Sequence, residues 1–333
     1  MIQSTQKTEP LVSIVTPFYN TAAYLVECIE SVLSQTYRNW EYILLNNCST
    51  DNGLEIAQYY AQQDPRIRVY NNNTCLSQVQ NYNEALRHIS GESKYCKVVQ
   101  ADDWIFPECL TRMVEIAENN SSIGIVGAYA LYGQKVYLDG LPYPSTKMSG
   151  YDVCRAYFRE GLYVFGTPTS LLIRSDIMRH KEPFYDEMSP VEDAEVCFDI
   201  LREHDFGFVH QVLTYTRRDN ESLITSINTY DPATLLEFRA MRKFGRDYLN
   251  EEEYQRCVRR IEMKYFMLLG ESIIRCRERA FWAFHEQGMR TVGAKFTGTK
   301  RFKYASLAFL TLALNLQDTF ERASWLFRKK RQG

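Results

Sequence analysis

The stretch YCKVVQADDWIFPE, residues 95–108, decides the reading of this chain. Residues 95–100 form an apolar run of strand length that leads directly into two adjacent carboxylates, Asp102 and Asp103. Pro107 then opens a helix. In open α/β sheets, ligands bind beyond the carboxyl ends of the strands. Two carboxylates at such an end suit Mg²⁺ or Mn²⁺, hard ions that prefer oxygen ligands. An ion held there would bridge a diphosphate and offset charge on a leaving group. An Asp-Asp pair by itself more often just caps the turn that follows it, so its neighbours decide.

Outward from this stretch, strand and helix signals alternate. Strands are expected over 11–16, 42–45, 67–70, 123–131, 169–173 and 206–216. Helices are expected over 22–34, from an N-cap at Asp51 to 63, over 77–89 and over 192–203. Residues 133–165, rich in Gly, Pro and Tyr, read as irregular. Repeated β-α units imply an α/β fold with a mostly parallel central sheet and flanking helices. After Asp231 helical patterns dominate. The expected organisation is a disordered segment 1–10, a catalytic domain 11–230 and a basic helical extension 231–333.

Polar clusters fall where those strands end. Pro17, Tyr19 and Asn20 follow the first strand, and Asn46-Asn47-Cys48-Ser49-Thr50-Asp51 follow the second. With Gln100, Asp102 and Asp103 they bring amides, hydroxyls and carboxylates to one crevice, a plausible nucleotide pocket with a cation site. Glu192-Asp193 open a later helix. The positive helix end would keep a carboxylate there ionised, as a general base requires; plain helix-start acids are the commoner case. Arg217 and Arg218 follow the last strand and either pair with phosphates or lie on the surface.

Ordered together, SIVTPFYN (13–20), NNCSTD (46–51), VVQADDW (98–104), GTPTSLLIR (166–174) and VEDAEVCFDILREHDFGFV (191–209) resemble the family 2 inverting glycosyltransferases of GT-A fold. YTRRDNESL (215–223) is similar to that family's closing segment. The resemblance implies a Rossmann-like domain that moves a sugar from a nucleotide-diphosphate donor, a UDP-sugar by expectation, to an acceptor hydroxyl with inversion. It puts Thr16 and Tyr19 in the nucleobase and ribose pocket and Asn47 at the base edge. Ser49 and Asp51 belong to the same nucleotide site. Asp102 would meet the ribose or the metal, Asp103 the metal, and Asp193 would be the base with Glu192 beside it. The sequence departs from the family at Asn46 and Asn47, at Gln100, and at Gln80, where an Arg often faces the nucleotide. An Asn carbonyl still accepts a uracil N–H, while its amide also donates.

Net charge is −2 over 333 residues. Residues 231–333 carry 21 Lys and Arg against 12 Asp and Glu, and residues 1–230 carry 18 against 29. The basic tail either meets an anionic membrane surface or docks on its own acidic body. LAFLTLALNL (307–316) and WLFRKKRQG (325–333) suit an interfacial anchor or a closing helix pair. Nine scattered cysteines without a Cys-x-x-Cys pair suggest reduced thiols in a cytosolic protein. MIQSTQKTEP has no apolar leader core. The expected place is therefore cytoplasmic, with contact at the inner face of the membrane if the tail anchors it. The expected acceptor is a glycan or a lipid-linked molecule, in surface polysaccharide or glycolipid synthesis.

Neither G-x-G-x-x-G nor G-x-x-x-x-G-K-[ST] occurs after the first strand, which speaks against a dehydrogenase and a P-loop enzyme. The acidic body speaks against nucleic acid. Two further readings stay open. One is a catalytically weak relative that acts through a partner. The other is a sugar nucleotidyltransferase, although PFYNTAAYL lacks the Gly-rich basic loop such an enzyme needs.

Overall fold

A computed structural model describes residues 9–218 and 230–314. The chain forms two compact units, 1–220 and 221–333. In the first, β1 (Val12–Phe18) is buried along its whole length, as a parallel strand covered on both faces must be. It pairs in parallel with β2 (Trp40–Asn46) and β4 (Tyr95–Val98), and β2 pairs in parallel with β3 (Ile67–Asn71). Phe18 lies opposite Asn46 and Asn46 opposite Asn71, so three carboxyl ends stand level. Helices α1 (Ala22–Leu33), α2 (Gly53–Gln63) and α3 (Gln78–Leu86) make the crossovers. Leu25, Cys28, Ile29 and Val32 of α1 join Ile14, Tyr42 and Leu44 in the core. Each such apolar side chain contributes about 1.5–3 kcal/mol on burial.

The second half of this unit is mixed. β5 (Trp104–Ile105) and α4 (Cys109–Asn119) precede the long β6 (Ile123–Tyr132), which folds back into β7 (Lys135–Tyr137). β8 (Lys147–Met148), α5 (Gly150–Glu160), β9 (Leu172–Arg174), α6 (Ser175–His180), α7 (Glu192–Ile200) and β10 (Asp205–Thr216) follow. The described strands run β3-β2-β1-β4-β9-β6-β10-β5, with β7 on β6 and β8 on β10. β9 is antiparallel to both β4 and β6 and so joins the two halves.

Three local expectations need correction. Residues 133–165 are not irregular throughout, since α5 stands there. Ser149 caps it by accepting the Asp152 N–H at 3.1 Å, and Gly161 ends it at φ +80. The strand expected over 169–173 starts as a 3-10 turn, Pro168–Ser170, because Pro168 favours the first helical position. The cap of α2 is Asn52, while Asp51 accepts the Gly53 N–H at 3.1 Å and the Ala22 N–H at 2.8 Å.

The described part of the second unit is helical: α8 (Ala233–Tyr248), α9 (Glu251–Ile274), α10 (Arg279–Thr291) and α11 (Gly298–Leu314). Asn250 and Glu253 form a capping box on α9. Val258, Ile261 and Tyr265 of α9 are buried, as their spacing predicts. A Cβ on Gly270 would meet the Tyr304 carbonyl oxygen at 2.5 Å, so glycine there lets α9 and α11 approach closely. Among the described residues no helix is long and apolar enough to cross a membrane. Residues 1–8 of the expected disordered segment, and residues 315–316 and 325–333 of the expected anchor, lie outside the described residues.

Candidate active site

The β1 and β2 ends are tied to each other before any ligand is considered. Ser49 Oγ accepts the Asn20 N–H at 3.0 Å, and Asn20 Oδ1 accepts the Thr50 N–H at 2.8 Å. Asn20 needs φ +50 for this, a conformation asparagine tolerates better than most residues. Asp51 adds its bond to the start of α1. Of the residues expected here, Tyr19 is 49% exposed and faces solvent, whereas Pro17 is buried. Thr16 is fully buried; its Oγ1 donates to the Val99 carbonyl at 2.8 Å and pairs with the Tyr42 hydroxyl at 2.9 Å. Its side chain therefore braces three strands instead of lining a pocket.

Asn47 is likewise only 3% exposed. Its Oδ1 accepts from the Leu76 N–H at 2.9 Å and from Asn72 Nδ2 at 3.0 Å, and its Nδ2 donates to the Leu76 carbonyl at 2.9 Å. Asn72 Nδ2 also donates to Asn81 Oδ1 at 2.8 Å, and Asn46 Nδ2 to Asn71 Oδ1 at 2.6 Å. Both acceptor positions of the Asn47 carbonyl are thus filled by the loop after β3. Gln80 is not turned to a nucleotide either. It completes the capping box of α3 with Ser77 and donates to Glu187 at 3.1 Å.

The carboxylate pair after β4 divides. Asp103 is 2% exposed and turned inward. Thr169 Oγ1 donates to its Oδ2 at 2.7 Å, Thr216 Oγ1 to the same oxygen at 3.3 Å, and the Arg217 N–H to Oδ1 at 3.0 Å. Burial, and then the charge of Asp102, push its carboxyl up to about 7 against those bonds. The oxygens of Asp103, the residue expected at the metal, are thus engaged by three protein donors. Asp102, partly exposed, stays on the crevice side.

Arg217 is held beside them. Its Nε donates to the Asp102 carbonyl at 3.1 Å, it pairs with Glu27, and it lies 4.7 Å over the Tyr24 ring. Arg218 is exposed, over the Tyr132 ring.

Lys97 was missed from the sequence, although a lysine inside an apolar strand is a visible signal. It is fully buried, and its Nζ donates to the carbonyls of Thr169 and Leu171. Burial lowers its pKa. Thr169 Oγ1 also accepts the Gln100 N–H at 3.0 Å, so one threonine links the lysine, Gln100 and Asp103.

Glu192 and Asp193 are the first residues of α7. Asp193 Oδ1 accepts the Ala194 N–H at 2.7 Å. The helix end does not keep these acids at ordinary values. Burial raises Asp193, and burial with the neighbouring Asp193 pushes Glu192 up to about 7. Desolvation outweighs the helix dipole here.

Two tyrosines that no sequence pattern marked connect the acid pairs. The Tyr82 hydroxyl is hydrogen-bonded to the side chains of Gln100 and Gln78, and after burial Asp102 is among the groups that raise its pKa. Tyr185 is raised by burial, then by Tyr82 and Asp193. The two rings meet edge to face at 5.9 Å. The charge of Asp102 is felt at one ring of this pair and that of Asp193 at the other, although 91 positions separate the two carboxylates in the chain.

Residues 13–184 match the family model of Glycosyl transferase family 2. The chain belongs to glycosyltransferase family 2. Among curated relatives, the Glycosyltransferase GlyG of Streptococcus pneumoniae is 34% identical over 144 residues, which is 43% of this chain and 46% of GlyG. EpsE of Bacillus subtilis is 34% identical over 153 residues, 44% of this chain and 54% of EpsE. The matched part thus spans about half the length of these relatives.

Among solved structures, S. aureus TarS in complex with UDP-GlcNAc aligns with a TM-score of 0.56 at 16% identity, over 77% of this chain and 72% of that one. The mannosyltransferase PcManGT from Pyrobaculum calidifontis, in complex with GDP-Man and Mn²⁺, aligns at 0.55 and 12% identity, over 94% and 88%. The expected GT-A fold of the family is present in this chain.

Proposed function

We propose that this family 2 chain is an inverting glycosyltransferase that takes a UDP-linked sugar and builds a surface polysaccharide or glycolipid. The observation that carries the reading is the edge-to-face Tyr82–Tyr185 pair, one phenol of which feels the charge of Asp102 and the other that of Asp193. In this reading Asp102 meets the donor's diphosphate and Asp193 the entering acceptor hydroxyl.

In this reading the acceptor oxygen forms a bond to the anomeric carbon while the bond from that carbon to the phosphate oxygen breaks. The electron pair leaves with the nucleoside diphosphate, and the hydroxyl proton passes to Asp193. A pKa raised by burial suits that task, because a base near the working pH transfers protons best. Glu192 shares the site and its negative charge. Tyr19 and Asp102 are the exposed or half-exposed donor contacts, with Arg217 and Arg218 beside the phosphates. Ser49 and Asp51 act by holding the loop that carries Tyr19. Asn47 acts on the nucleobase through the loop at 72–76 that it secures.

Among the described residues no cluster of three His, Cys, Asp or Glu side chains could hold a metal. One carboxylate with the donor's own phosphates still fits Mg²⁺ or Mn²⁺, which dehydrate reluctantly and use few protein ligands. Asp102 is the residue that would hold it. The chemistry such an ion supplies is neutralisation of the leaving diphosphate.

None of the nine cysteines is in a disulfide, which supports a reducing compartment, hence the cytoplasm. Phe302, Phe309 and Leu310 on α11 are more than half exposed beside Lys300, Arg301 and Lys303. They support contact with an anionic membrane face, where a lipid-linked acceptor would be found.

The test is a thermal-shift series with UDP, GDP, CDP and dTDP, each with and without Mn²⁺. A binder at about 100 times its Kd adds about 2.7 kcal/mol of stability. A Mn²⁺-dependent rise with UDP is expected. No rise with any of the four would overturn the donor reading and favour a relative that works through a partner.

A further inference from the structure

Stacked aromatic rings normally fill a core. One set in this protein opens to solvent instead. All three residues of β7 are exposed, and Tyr137 among them is 42% exposed. Its ring stacks on Tyr132 at 5.6 Å with 26° between planes, and meets Tyr163 at 6.2 Å. The Arg218 guanidinium lies 4.3 Å over Tyr132 and closes one end. Helix α7 lies toward the other end: Tyr163 meets Phe165 at 6.0 Å, Phe165 meets Phe198 of α7 at 5.5 Å, and the charge of Asp193, in the first turn of that helix, is after burial the foremost cause raising the Tyr163 phenol. Tyr163 is fixed by donating its hydroxyl to the Gly166 carbonyl at 3.0 Å. Gly166 has φ +68, and a Cβ there would meet Ser170 Oγ at 2.5 Å, so the turn that receives this bond requires glycine.

We propose that the strip Arg218–Tyr132–Tyr137–Tyr163–Asp193 is the acceptor subsite, and that it takes a pyranose ring stacked on Tyr137 with one hydroxyl presented to Asp193. The inference rests on the reading of Asp193 as the base. A pyranose presents a face of C–H groups with a rim of hydroxyls. The strip presents ring faces with a rim of phenol oxygens and a charge at each end, the mixture of apolar wall and few polar groups that orients a small ligand. A hydrocarbon chain would gain from the rings but would place the phenols and both charges against apolar surface, which costs free energy. The hairpin position of Tyr137 also explains its composition. With no core to enter, an exposed Tyr on a three-residue edge strand contributes little to folding.

The experiment is saturation-transfer NMR on the full chain with the methyl β-pyranosides of glucose, galactose and N-acetylglucosamine, and with n-octanol as the apolar probe. No donor or turnover is needed. At least one glycoside should receive saturation, and Tyr137→Ala should lower it at least fivefold. Tyr143→Ala is the control, an 80% exposed tyrosine outside the strip, and should leave it unchanged. No saturation of any glycoside, or equal saturation in Tyr137→Ala, would overturn the proposal. So would a Tyr137-dependent signal from octanol alone, which would assign the strip to a lipid chain. UDP binding is measured on the same samples. Its absence would sink the UDP-donor reading, while a Tyr137-dependent glycoside signal would still stand.

Discussion

The two acid pairs of this protein look alike in sequence and differ in what surrounds them. Asp103 of the first pair accepts hydrogen bonds from Thr169, Thr216 and Arg217, which lie in two segments far from it in the chain. Asp193 of the second accepts from the adjacent Ala194 N–H. Burial raises the pKa of both. A carboxylate whose oxygens are engaged by distant donors acts as a cross-link, whatever its motif. A carboxylate held only by local backbone N–H groups keeps capacity for a substrate proton.

That contrast breaks first, and most visibly, at Asp193. Asp193→Asn should lower kcat by about 10²–10⁴, the usual range for losing a general base, with UDP affinity unchanged. Single-turnover kinetics beside calorimetric UDP binding would check it, and full activity would mean that another residue is the base.

Asp103→Ala tests the opposite half of the comparison. It should cost about 3 kcal/mol of unfolding free energy, since Thr169, Thr216 and the Arg217 N–H lose their shared partner in the interior. Urea denaturation reads this directly. A variant as stable as the native protein but without metal-dependent UDP binding would restore Asp103 as a ligand.

The smallest expected effect concerns pH. Glu192 has its folded pKa raised to about 7 from an ordinary value of 4.5. Between those values the folded state holds more protons than the unfolded one, so stability falls as pH rises. The contribution is complete below pH about 4.5 and is lost as pH passes about 7. Glu192→Gln should therefore flatten the fall of the urea midpoint between pH 5 and 8. An unchanged slope would mean that Glu192 titrates normally.

The same division separates the legible from the illegible parts of the molecule. The strands at 12–18, 40–46 and 95–98 could be read because a buried parallel strand is a short, nearly continuous apolar run. Helix α5 carried its own signals, Ser149 and Gly161, but they stood within a Gly-, Pro- and Tyr-rich stretch whose composition outweighed them. Thr16 shows a different limit. It lies next to a strand end, yet its side chain points between strands to Tyr42 and Val99.

By itself, then, the sequence determined the order of strands and helices, the polar ends of β1, β2 and β4, and the family. Those follow from local periodicity and short motifs. Only the tertiary structure decided that Asn47 secures a loop, that Asp103 is a buried cross-link tied through Thr169 to Lys97, and that Tyr82 packs edge to face on Tyr185. The reason is physical. What a polar side chain can do depends on how many of its hydrogen-bonding positions are already filled. In this fold the groups that fill them come from segments 25 to 114 residues away.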